Sequence, residues 1–139
     1  MTCIFCDIVA KKRETELIYE DEQFVAFRDI KPASKFHFLI IPKTHIPSTK
    51  ALTVDDKQMV LDMKRIMLDL LAKNDQNNTE DISLGFHVPP FNSIKHLHLH
   101  GISPVSEMKL VSRWMFRPDS WWYKTIDTII DSLPPAASL

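Results

Sequence analysis

"KHLHLHGI", residues 95–102, carries three of the chain's six histidines, His96, His98 and His100, each separated from the next by one leucine. Side chains on a β-strand point alternately to opposite faces. Read as a strand, the segment puts the three imidazoles on one face and turns Leu97 and Leu99 towards a core. Neighbouring rings then stand roughly 7 Å apart along the strand, too far for a direct hydrogen bond but close enough to bracket one phosphate. Imidazole serves near neutral pH as base, acid, nucleophile or metal ligand. Two chemistries stay open at this point: a catalytic face, or a tri-histidine metal site, since histidines at i and i+2 can share a zinc ion.

Working upstream, "PPFNS" (89–93) separates this strand from "ISLGFHV" (82–88), a second apolar strand. A polar loop, "NDQNNTED" (74–81), precedes it. The clearest helix is "TVDDKQMVLDMKRIMLDLLAKN" (53–74). Thr53 and Asp56 form a capping-box pattern at its start. Met59, Met63, Ile66 and Leu70 recur at helical spacing, a stripe that either packs on the chain's own sheet or meets a second subunit. Further back, "KFHFLIIP" (35–42) is a β-rich run stopped by Pro42. "ELIYEDEQFVAFRDI" (16–30) reads as a hairpin, Leu17–Glu20 and Phe24–Arg28 around Asp21-Glu22. "CIFCDIVAKK" (3–12) has the apolar spacing of a short amphipathic helix. Downstream, "SWWYKTIDTIIDSL" (120–133) reads as a closing helix before a frayed "PPAASL" tail. Strands, one long helix and further strands make an α+β single domain over 1–139 with a mainly antiparallel sheet.

Composition narrows the function. The 139 residues carry a formal net charge of −1, so no bulk positive field draws in nucleic acid. No apolar run approaches the roughly 20 residues that span a bilayer, so no membrane partner is expected. "MTCIFCDIVAKK" lacks the pattern of a signal peptide, and an intracellular, cytoplasmic location, shared with the nucleus or not, is the expectation. In a reducing compartment Cys3 and Cys6 are thiols or metal ligands rather than a disulfide. Gly85 and Gly101 are the only glycines, which excludes a Gly-rich phosphate loop.

The blocks resemble a known family. "HLHLHGI" fits the His-φ-His-φ-His-φφ signature of the histidine triad family, where φ is apolar, with Gly101 in a φ position. "FRDIKPASKFHFLIIPKTHI" resembles its strand block and "CIFCDIVAKK" its N-terminal helix. The similarity covers about residues 3–104, leaving 105–139 as an extension. "GFHVPPFNSIKHLHLH" and the tryptophan-bearing extension are most similar to the third subgroup of its nucleotide-binding proteins. The resemblance implies a fold with one long central helix and short N- and C-terminal helices. It also implies hydrolysis of a P–N bond in AMP–amine or aminoacyl-adenylate type substrates.

Roles carry over residue by residue. The resemblance makes His98 the nucleophile, forming a nucleotidyl-histidine, with the His96 carbonyl fixing its second nitrogen. His100 matches a phosphate-contacting histidine, His37 an inner supporting one, and Ser93 the hydroxyl bonding the phosphate or the leaving amine. Asp29 matches the acidic group that accepts the ribose hydroxyls, and Ile4, Phe5, Ile8, Phe27, Ile30 and Leu39 an apolar slot for the base. Asn92 stands where a glutamine is usual and is a candidate phosphate-side donor; Phe91 replaces a glycine. Cys3, Cys6, His45 and His96 match a structural zinc site of some branches, with no cofactor needed for the chemistry. The implied partners are a purine nucleotide and a second copy of the chain. His87 matches no role and reads as strand-end surface. The alternatives are a dinucleoside polyphosphate hydrolase or nucleotidyl transferase, a zinc-stabilised nucleotide-binding module with little turnover, and a tri-histidine metal enzyme.

Overall fold

A computed structural model describes residues 3–133; the expected "PPAASL" tail lies outside them. The elements run α1 (Ile4–Val9), β1 (Leu17–Glu20), β2 (Phe24–Arg28), β3 (Phe36–Pro42), α2 (Lys57–Ala72), β4 (Ser83–His87), β5 (Leu99–Ser103), α3 (Leu110–Met115), β6 (Tyr123–Thr125) and α4 (Ile126–Ser132). The strands form one sheet in the order β1-β2-β3-β5-β4-β6, with neighbours antiparallel throughout.

Local chemistry sets these boundaries. Asp21 closes the β1–β2 hairpin: its Oδ1 accepts the N–H groups of Gln23 and Phe24 at 2.7 Å each. At the entry to α2 the Asp56 carboxylate accepts the Thr53 N–H at 2.8 Å, relieving a donor the helix cannot satisfy itself. The apolar stripe of α2 (Val60, Met63, Ile66, Met67, Leu70, Leu71) is buried on the protein's own sheet. That decides between the two uses the sequence left open for it.

Alternation along the strands builds two apolar layers. Phe24, Ala26, Phe38, Ile40, Leu84, Phe86, Leu97 and Leu99 pack towards α2 and α4. Val25, Phe27, Leu39 and Ile41 face the other way and meet Phe5 and Ile8 of α1. The second layer carries the histidines.

Two expectations need correction. The triad strand begins at Leu99, so His96 and His98 lie just before it. In the β3–β5 register Ile40 stands opposite Leu99, and continuing the ladder would reach Pro42, which has no N–H to give. Leu97 instead donates its N–H to the Ile46 carbonyl at 2.6 Å. Its side chain still enters the core beside Leu99, so the alternation survives without the ladder. The second correction concerns residues 120–133. Tyr123–Thr125 is a strand on the edge of β4, and the helix starts only at Ile126, with Thr125 as N-cap. Aromatic and β-branched residues favour the strand, and Gly85 makes room for it: a Cβ there would fall 2.5 Å from Tyr123 Cζ and 2.6 Å from the Lys124 carbonyl oxygen.

Candidate active site

A cavity of about 870 Å³ opens over the histidine face. Its lining includes Ile4, Phe5, Ile8, Phe27, Asp29, Ile30, His37, Leu39, Ser93, His98 and His100, which brings together all but one of the residues assigned to catalysis and nucleotide binding outside the zinc set. The exception is Asn92. It is buried, and its side-chain and backbone oxygens accept from Lys95 Nζ at 3.0 and 2.8 Å. Its oxygens are tied to its own loop, and Asn92 is absent from the lining of this cavity. Ile30, 93% exposed, stands at the rim rather than in a closed slot.

Hydrogen bonds fix which nitrogen of each ring carries the proton. His98 Nδ1 lies 2.7 Å from the His96 carbonyl. A carbonyl only accepts, so Nδ1 bears the hydrogen and Nε2 keeps its lone pair. Around His37 the direction is set from the backbone. The Ala33 N–H donates to His37 Nδ1 at 2.9 Å, which makes Nδ1 an acceptor and places the hydrogen on Nε2. His37 Nε2 then donates to His100 Nδ1 at 2.9 Å. His100 must therefore carry its proton on Nε2. Among the described residues, His100 Nε2 is the buried side-chain nitrogen that finds no partner. A buried donor without an acceptor costs roughly 1–3 kcal/mol, and an anion in the cavity removes that penalty. The two rings sit 5.0 Å apart, one presenting a lone pair and the other an N–H donor.

Burial keeps the cluster neutral. It pushes the His37 pKa down to about 4, against the opposing pull of the Asp29 carboxylate. It lowers His98 despite the bond to the His96 carbonyl, and lowers His100 well below the usual imidazole range, with His98, His37 and His87 adding to the effect. Asp29 serves its turn and faces the cavity at once. Its Oδ1 accepts the Lys31 N–H at 2.8 Å, and Oδ2 lies 3.4 Å from His37 Nε2.

Some lining residues were not foreseen. His87, read as strand-end surface, lines the cavity and packs edge-on against His100 at 5.1 Å. Ser112, Met115 and Phe116, on α3 and just after it, form a further wall. Phe116 is buried among His37, His87 and His100. Of the nearby aromatics, Tyr123 is core, whereas Trp121 is 85% exposed. The placement of this wall depends on a helix of six residues with no periodicity to read.

The second cluster lies at the base of α1. Cys3 Sγ is 3.3 Å from His96 Nδ1, Cys6 Sγ is 3.2 Å from His45 Nδ1, and the two Nδ1 atoms are 3.2 Å apart. Cys3 is the N-cap of α1, and its sulfur accepts the Cys6 N–H, which turns both thiols to one side. His96 donates Nε2–H to the Pro42 carbonyl at 2.8 Å, so its Nδ1 lone pair faces the thiols. Tetrahedral zinc with its usual bond lengths sets neighbouring N and S donors about 3.3–3.6 Å apart. The four donors fit that geometry, and the imidazole–carbonyl contact is the outer support such ligands use. Without a cation, burial and the neighbouring Cys3 push the Cys6 thiol up to about 11.

The chain is similar to known proteins. Residues 2–115 match the family model for the C-terminal, binding part of the scavenger mRNA decapping enzyme. The chain is 44% identical over 134 residues to adenosine 5'-monophosphoramidase HINT3 of Xenopus tropicalis, covering 96% of this chain and 88% of that protein. It is 42% identical over 114 residues to an Arabidopsis thaliana bifunctional adenosine 5'-phosphosulfate phosphorylase/adenylylsulfatase, covering 81% of this chain and 74% of the relative. Among solved structures, a HIT family hydrolase from Legionella pneumophila superposes with a TM-score of 0.70 at 29% identity, covering 73% of this chain and 92% of that one.

Proposed function

The chain belongs to the histidine triad family, and from that premise we propose that it is a nucleoside phosphoramidate hydrolase, cleaving the P–N bond between AMP and an amine. The observation that carries the reading is the complementary pair at the cavity floor: a lone pair on His98 Nε2 beside an unpartnered Nε2–H on His100. The base lies in the apolar slot of Phe5, Ile8, Phe27 and Leu39, and the ribose hydroxyls reach Asp29. His98 Nε2 attacks the α-phosphorus, the P–N bond breaks, and the nitrogen takes a proton from water and leaves as the amine; the later hydrolysis returns that proton. As positive charge grows on His98, the His96 carbonyl steadies it through Nδ1–H. His100 Nε2–H bonds a phosphoryl oxygen as negative charge concentrates there, a donor already in place before the reaction. Ser93 offers its hydroxyl to the phosphate or the departing amine. Water then attacks the nucleotidyl-histidine and releases AMP.

The test is mass spectrometry of protein quenched during turnover of a fluorogenic AMP–amine. AMP on His98, with amine release abolished by His98→Ala, is the expected result. Steady amine release without any adduct rejects the mechanism. A second reading keeps the same attack with sulfate as the leaving group; the likeness to the plant phosphosulfate-acting relative favours it. Relative rates on the two substrate types separate the readings.

Three companion readings follow from the same resemblance. Zinc held by Cys3, Cys6, His45 and His96 is structural: four protein ligands leave no open position for chemistry. Cys3 and Cys6, not joined in a disulfide, suit a reducing compartment, cytoplasm or nucleus. The chain pairs as a homodimer. With the α2 stripe buried, the exposed apolar side chains Leu110, Val111, Trp114 and Trp121 are what support an interface.

A further inference from the structure

His87 has no part in the chemistry above, yet it joins two pieces of the site. It ends β4, and its ring packs edge-on against His100 at 5.1 Å and tilted against Phe116 at 4.9 Å. Its Nε2 lies 2.9 Å from the Met115 carbonyl, which accepts the ring N–H. The last carbonyls of a helix have no partners within it. In α3 the Met115 carbonyl takes its bond from His87, and the Trp114 carbonyl takes one from Trp122 Nε1 at 2.8 Å. This short helix has no buried residue and no side-chain N-cap bond, so it depends on such ties and on the burial of Phe116.

The sheet order shows what this wall meets. The nucleoside slot lies over β2 and β3 (Phe27 and Leu39, with Asp29 just past β2) and the phosphorus over the start of β5 (His98 just before it, His100 within it). β4 is next, and its His87, with Ser112, Met115 and Phe116, bounds the space left for the leaving group. A thioether and an aromatic ring favour flat apolar groups.

We propose that His87 is a positioning residue that fastens α3 as the leaving-group wall, and that this wall selects amines carrying a flat apolar group. The inference deepens the phosphoramidase reading and rests on it. Met115 and Phe116 touch the amine's substituent, and His87 acts through them by holding the Met115 carbonyl.

The experiment uses the full chain with His98→Ala, so that nothing turns over. Calorimetry gives dissociation constants for two AMP phosphoramidates of equal charge, one of methylamine and one of tryptamine. The tryptamine conjugate is expected to bind about tenfold more tightly, the usual worth of a modest apolar contact. Adding His87→Ala should bring the ratio close to one. His87→Gln keeps an N–H donor at comparable reach and should restore it. Equal weakening of both ligands by His87→Ala overturns the proposal, as does an unchanged ratio, a conjugate with no initial advantage, or failure of His87→Gln to restore it. Failure of the hydrolase reading would show separately, as no tryptamine release by the chain with His98 intact.

Discussion

The Ala33 N–H is the least conspicuous group in the site and sets the most. By donating to His37 Nδ1 it fixes the proton of His37, and through it that of His100, so a backbone amide decides that a donor faces the phosphate. The composition of the triad was legible in "HLHLH", and so was the lone pair on its middle ring once the resemblance supplied the His96 carbonyl. The direction of the His37–His100 bond was not, because it depends on a loop amide four residues from His37. The same burial has a cost in acid. In the unfolded chain the histidines titrate near 6.5, whereas folded His37 titrates at about 4. Above about pH 6.5 both states are neutral and stability is complete; as pH falls from there towards 4, only the unfolded state gains the proton. Stability should fall across that window by about 1.4 kcal/mol per pH unit for each such histidine, read from urea melts at pH 7.5, 6 and 5. Flat stability across the window would refute the buried neutral cluster. Acid should silence amine release only below the pH at which a free imidazole protonates, since burial lowers the His98 pKa.

At the scale of elements, the hairpin, β3 and α2 follow from alternation, prolines and caps that sit within a few residues of each other. The start of β5 does not, because Pro42, which ends its ladder, lies more than fifty residues away in sequence. β6 was missed for a similar reason: Gly85, on another strand, makes the space it fills. That space can be tested. Gly85→Ala drives a Cβ into the buried Tyr123 ring and a backbone carbonyl, neither of which can yield, and should cost about 2–3 kcal/mol. Gly101→Ala meets only the flexible end of Met67 and should cost about 1 kcal/mol. Chemical denaturation of the two variants decides; equal losses would mean that the β4–β6 contact is looser than the geometry states.

For the whole molecule, the cysteine–histidine cluster ties α1, the loop after β3 and the triad segment together, so metal and fold should be coupled. A chelator or Cys6→Ser is expected to lower the melting temperature and to reduce amine release only as the fold loosens. A preparation free of zinc with unchanged melting would discard the structural metal. Sedimentation velocity at micromolar concentration should give twice the 16.1 kDa chain mass; a monomer there removes the homodimer. By itself the sequence determined the strands that alternate, the long helix that repeats, and the histidines and cysteines available for chemistry, since each is written in near-neighbour spacing. Only the tertiary structure decided that Asn92 turns to Lys95, that His87 enters the site, and that α3 closes its far side. Those outcomes depend on which distant groups meet, and chain spacing carries no record of that.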